Sequence, residues 1–148
     1  MNLRIGIIDS GINDCALKSK VFHRNCIDNS DAEKDKNGHG TMCAYLIEKY
    51  SEAKVEFYSY KIFDEDLWST EKIIEKAFRR AYQDKLDILN LSLSIHVMQN
   101  EKIKKLVKKL QESGVIVIAA KAKTGERTLL DTFDKVLMVR GKSFFFRK

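Results

Sequence analysis

Gly38-His39-Gly40 sets an imidazole between two glycines at the mouth of an apolar, helix-like segment, NGHGTMCAYLI (37–47). The glycines permit a tight turn into a helix start and hold the ring at one outward position. Imidazole is the side chain whose ordinary pKa suits proton transfer near neutrality. Nearer the N-terminus, Asp9 closes the apolar run of IGIIDSGI, and Gly11 lets the chain turn sharply behind it. Alone, Asp9 fits a phosphoacceptor, the D-S-G of an aspartic peptidase, or a polar strand end. A lone histidine is likewise more often structural than catalytic. Together, a carboxylate at a strand end and a histidine at a helix start are what a general base and its orienting carboxylate require. Cys43 lies four residues after His39, on the same helical face, so the residues alone admit either a thiol nucleophile or a buried structural thiol.

Positioning such groups takes a rigid scaffold, and the hydrophobic pattern supplies one. Strand-like segments at 3–9, 55–63, 87–94, 115–120 and 135–141 alternate with helix-like ones. The first helix runs from Thr41 to about Tyr50. The second is capped by Ser69 or Thr70 and carries Ile73, Ile74, Ala77, Phe78, Ala81 and Tyr82 at helical spacing. The third is lysine-rich and stops at Gly114, well placed as its C′ residue. Alternation of this kind predicts an α/β fold: a mostly parallel, twisted sheet of about five strands with helices on both faces. VIVIAA (115–120) reads as a strand buried on both sides. The polar stretch 10–38 is long for a connection and reads as a functional loop or a short helix plus loop. Reactive groups in open parallel sheets gather beyond the carboxyl ends of the strands, where Asp9 stands.

Composition narrows the function classes. The chain has 148 residues, 44% of them hydrophobic, which suits a single domain with a real core. No apolar run approaches the roughly 18 residues of a membrane span. MNLRIGIID enters a strand directly, without a secretory pattern, so the expectation is a cytoplasmic protein with no membrane partner. The net charge of +6 owes much to Lys102, Lys104, Lys105, Lys108 and Lys109, which surround Ile103, Leu106, Val107 and Leu110. That is the wet face of an amphipathic helix, so no nucleic-acid partner is expected. Cys15, Cys26 and Cys43 have no metal-ligand spacing; free thiols, no metal and no cofactor are expected. Phe144, Phe145 and Phe146 read as a last strand or a docked terminus.

IIDSGI, NGHGTMCA, DILNLSLS and GVIVIAA, in that order, resemble the subtilisin-like serine proteases, the subtilases. The resemblance implies that Asp9 and His39 are two members of a catalytic triad. It implies that Asn90, Leu91, Ser92, Leu93 and Ser94 line a cleft that pairs with an extended peptide. Lys61-Ile62 matches the family's strand in order and spacing, and Cys43 resembles the cysteine of the thiol-containing branch, where it is a buried structural thiol. The family's nucleophile lies in G-T-S-M-A, which these residues do not contain; the one late serine, Ser143 in GKSFF, does not match it. Lys123 stands where the family has its oxyanion asparagine, and Met42, Tyr45 and Ser94 replace usual residues.

The expectation is therefore one incomplete subtilase-like domain over 1–148, truncated before the serine-bearing helix. Such a chain would be nearly silent as an isolated hydrolase. It would act on peptide precursors with a nucleophile from a second chain, leaving apolar surface uncovered near Asp9 and 115–120. The alternative is a non-catalytic pseudoprotease that binds an extended peptide along residues 91–94. A receiver-like or nucleotide-binding domain centred on Asp9 is a third reading, which the H-G-T context opposes.

Overall fold

The computed structural model describes residues 2–28, 31, 33–66, 68–93, 95, 100–122 and 125–140. Strands β1 (Leu3–Asp9), β2 (Lys20–Asn25), β3 (Val55–Lys61), β4 (Ile88–Leu91), β5 (Ile116–Ala120) and β6 (Leu137–Val139) form one sheet in the order β2-β3-β1-β4-β5-β6. Every pairing is parallel. Helix α1 (His39–Tyr50) connects β2 to β3, α2 (Glu71–Gln83) connects β3 to β4, and α3 (Glu101–Glu112) connects β4 to β5.

The α/β class and the parallel sheet agree with the sequence pattern. The sixth strand is β2, which lies inside the polar stretch 10–38. It is an edge strand whose residues are at most half-buried, so it carries no apolar run. Phe22 nevertheless anchors it by stacking on Tyr58, ring centroids 4.8 Å apart.

Local chemistry sets the helix ends. Thr70 caps α2, its side chain accepting from the Ile73 N–H, and Asn100 Oδ1 accepts from the N–H groups of Lys102 and Ile103 at the start of α3. Gly114, at φ 91°, ends α3. Its N–H reaches the Gln111 carbonyl while Val115 N–H reaches that of Leu110, the paired bonds of a Schellman motif.

Period-2 alternation in β1 divides the interior between two faces. Ile8, Leu89, Leu91, Val117 and Ala119 share one cluster with Ile74, Ala77, Phe78 and Ala81 of α2 and Ile103, Val107 and Leu110 of α3. Burying each large aliphatic here contributes about 1.5–3 kcal/mol relative to exposure. On the other face Ile5, Ile7, Val55 and Phe57 pack with Ala44 and Ile47 of α1.

That second face is only partly covered among the described residues. α1 lies against β1, so the surface near Asp9 is buried, against expectation. Farther along the sheet, Ile116 (49% exposed), Leu137 (55%) and Val139 (55%) remain open. Ile118 pairs with Leu137 and Ala120 with Val139, so these residues share one side of the sheet. Among the described residues the strand at 115–120 is thus buried on one face, not two. A continuous apolar run carries no signal of how many layers cover it. Among the described residues, no helix is long and apolar enough to cross a membrane.

Candidate active site

Asp9 is the last residue of β1 and is 1% exposed, at the carboxyl edge of the sheet. Backbone N–H of Ser10 donates to its Oδ1 at 2.8 Å, and the Ser10 hydroxyl donates to the same oxygen at 3.2 Å. His39 opens α1, and its Nδ1 lies 2.9 Å from both carboxylate oxygens of Asp9. With Nδ1–H donating to the carboxylate, the basic lone pair of the ring sits on Nε2. The imidazole side chain is 42% exposed while its partner is enclosed. Burial pushes the Asp9 carboxyl above its usual range, and the bonds from His39 and Ser10 oppose that rise.

Three features hold this pair in register. Gly38 is the N-cap of α1 at φ 83°, a left-handed conformation that glycine adopts at little cost. Gly40 N–H donates to the Ser10 hydroxyl at 3.0 Å, tying the helix start to the residue after Asp9. Asp35, 6% exposed, is the third. Its Oδ1 accepts from Gly38 N–H at 2.8 Å, and its Oδ2 accepts from Thr41 N–H at 2.8 Å and the Thr41 hydroxyl at 2.6 Å. Asn13 closes the ring: its Oδ1 accepts from Asp35 N–H at 2.8 Å, and its own N–H donates to Thr41 Oγ1 at 3.0 Å. The loop after β1 and the start of α1 are therefore one hydrogen-bonded unit.

Asp35 acts as a cap placed three residues before the N-cap, and its three donors hold its carboxyl below the usual range against the opposing effect of burial. Its stabilising contribution is present above pH about 4 and is lost as pH falls through the lower folded-state value. Asp35→Asn turns an amide N–H₂ toward donors and is expected to cost about 2 kcal/mol at neutral pH. Urea unfolding from pH 7 to pH 3 tests this: the gap between wild type and variant should narrow on acidification.

The other site residues inferred from sequence fall in three groups. Ser92 follows the end of β4 and joins the centre: its hydroxyl accepts from Asn90 Nδ2 at 2.9 Å and from the Cys43 thiol at 3.4 Å. Leu91 and Leu93 direct their side chains into the core instead. Ser94 and Lys123, the cleft and oxyanion positions, lie outside the described residues, as do Ser143 and Phe144, Phe145 and Phe146.

Cys43 is half-buried, and burial raises its thiol pKa. Asp9, His39 and Cys43 each bring a potential metal-ligand atom within 4.8 Å of the others. The sequence reading missed Asp35, Asn13, Thr41 and Ser10. The available signal was a carboxylate four residues before His39, in DKNGH.

A buried carboxylate on Nδ1–H and a part-exposed imidazole are what a histidine needs to take a proton from a hydroxyl or water. The sequence pattern of the subtilase family matches residues 1–128, and the chain belongs to that family. It is 28% identical over 133 residues to Subtilisin DY of Bacillus licheniformis, covering 84% of this chain and 48% of that protein. It is 25% identical over 132 residues to the minor extracellular protease Epr of Bacillus subtilis, covering 84% of this chain and 20% of that protein. The chain thus spans about half or less of the length of these relatives.

Solved structures share the fold. The nisin leader peptidase NisP from Lactococcus lactis superposes with a TM-score of 0.66 at 24% identity, over 80% of this chain and 43% of that one. The prenylagaramide maturation protease PagA gives 0.69 at 17% identity, over 92% and 52%.

Proposed function

We propose that Asp9 and His39 are the orienting carboxylate and general base of a serine-type peptidase whose nucleophile comes from polypeptide outside these 148 residues. The observation that carries this reading is the enclosed Asp9 carboxylate, 2.9 Å from His39 Nδ1. A surface ion pair needs neither that burial nor the Ser10, Gly40 and Asp35 scaffold around it. The 148 residues contain no G-T-S-M-A segment, so the base has no matching hydroxyl within them. The apolar face of Ile116, Leu137 and Val139, open among the described residues, offers a place for the serine-bearing part. In the form we favour, that part is a second chain. The substrates are peptide precursors, a class supported by the leader-peptidase and maturation-protease names of NisP and PagA.

The test is reconstitution. Mixing the chain with a polypeptide that carries a G-T-S-x-A segment should restore cleavage of a fluorogenic peptide. His39→Ala should then remove it by on the order of a million-fold in turnover, the loss known for a subtilisin, from which the figure is carried over. Ile116→Lys should block reconstitution while leaving Asp9 and His39 intact. Failure of every such mixture to cleave would contradict the proposal.

Lys123 in place of the oxyanion asparagine favours a second reading, a non-catalytic holder of extended peptides along residues 91–94. Under that reading His39→Ala leaves peptide binding intact, whereas Ser92 substitutions abolish it.

A further inference from the structure

We propose that Asp9, His39 and Cys43 form a binding site for a divalent zinc-like metal ion that silences His39 when occupied. The three donors are a carboxylate oxygen, an imidazole nitrogen and a sulfur, the mixed set that zinc accepts. Calcium and magnesium are disfavoured because they require mainly oxygen ligands.

Geometry supports the set. His39 and Cys43 stand four residues apart in α1, so their side chains share one helical face. The same i, i+4 spacing lets two histidines chelate zinc in H-E-x-x-H helices. Asp9 approaches from β1, and the three ligand atoms lie within 4.8 Å of one another. Bond lengths of about 2.0–2.3 Å place tetrahedral zinc ligands about 3.3–3.8 Å apart. Drawing in the widest separation, at most 4.8 Å, and parting His39 Nδ1 from the Asp9 carboxylate, now 2.9 Å away, requires side-chain movements of about 1 Å. Asp9 is the fixed member, held by Ser10, and His39 is the part-exposed member that can swing. Three protein ligands leave a fourth position for water, the arrangement of an open zinc site.

The proton balance is simple. Binding expels the Cys43 thiol proton to solvent, and the Ser92 hydroxyl 3.4 Å away can turn to donate to the resulting thiolate. If Nδ1 is the ligating nitrogen, its proton moves to Nε2 and the metal replaces the hydrogen bond to Asp9. One proton is released in total. The imidazole then has no lone pair for general-base work. This inhibitory consequence rests on the proposed peptidase function; metal binding does not.

Titration of the reduced 148-residue chain with cobalt(II), a spectroscopic substitute for zinc, tests the site without an activity assay. The expected result is one bound equivalent with a thiolate-to-cobalt charge-transfer band and tetrahedral d–d bands, displaced by zinc. Cys43→Ser should abolish the charge-transfer band, whereas Cys15→Ser should leave it unchanged. His39→Ala should weaken zinc by at least about 100-fold, since loss of outer-shell partners alone costs 10- to 100-fold. Zinc should also protect Cys43 from alkylation, mapped by mass spectrometry, a readout that needs no variant. Absence of a charge-transfer band, its survival in Cys43→Ser, or unchanged alkylation of Cys43 under zinc would each overturn the proposal.

Discussion

Gly40→Ala is expected to separate His39 from Asp9 and to destabilise the fold by about 2 kcal/mol. A Cβ at position 40 would lie 2.2 Å from the carbonyl oxygen of Gly11 and 3.1 Å from Cβ of Asp9. Neither neighbour is a flexible side-chain tip: one is backbone, the other the root of an enclosed carboxylate. Overpacking of this kind costs typically 1–3 kcal/mol or more, and alanine's better helix propensity returns only about 1. The strain is relieved by lifting the start of α1, which breaks the Gly40 N–H bond to Ser10 and draws the imidazole off the carboxylate. A lower urea midpoint, with faster hydrogen exchange at the residue 40 amide, is the expected signature. An unchanged midpoint would show that the two segments do not approach this closely.

Lys61→Met should cost still more, about 3 kcal/mol. Lys61 ends β3 beside Asp9 and is 0% exposed. Its ammonium donates to the carbonyl oxygens of Asp31 at 2.9 Å and Lys34 at 2.6 Å and pairs with Asp64 at 3.2 Å. Methionine fills most of the same volume but leaves those carbonyls without their donor and Asp64 without one of its two lysines. Lys36 still reaches Asp64 at 2.9 Å, so the carboxylate is not orphaned and the loss stays near the low end of the range for a broken buried pair. The segment freed is the one that carries Asp35. Stability should therefore fall together with protection of the Gly38 and Thr41 amides, which Asp35 holds. Loss of stability without loss of protection there would separate the lysine from the site.

What could be read from the sequence follows from which signals are local. Asp9 and His39 were legible because glycines and a strand end mark positions where a polar side chain is held deliberately. The third helix was legible down to its C′ glycine, since Gly114 follows a clear period of Ile103, Val107 and Leu110. β2 was not, because an edge strand half in solvent needs only Val21 and Phe22 to anchor it. Asp35 was hidden among the charges of DAEKDKNG; only the tertiary approach of Asn13 and the start of α1 makes it a cap. Lys61 shows the same limit. A lysine at a strand end normally reads as solvated, and its burial is created by carbonyls some thirty residues away in sequence. The apolar run at 115–120 indicated a sheet interior but not that one side would stay open, since layering is decided by other segments.

The tautomer of His39 reports whether Asp9 orients the imidazole as a general base. In ¹⁵N-labelled protein at neutral pH, Nδ1 should carry the proton and Nε2 the lone pair. The Nδ1 proton should resonate far downfield because Asp9 accepts it, and the resonance should vanish in Asp9→Ala. A proton on Nε2, or a His39 signal indifferent to Asp9→Ala, would show that Asp9 does not orient His39 for proton transfer.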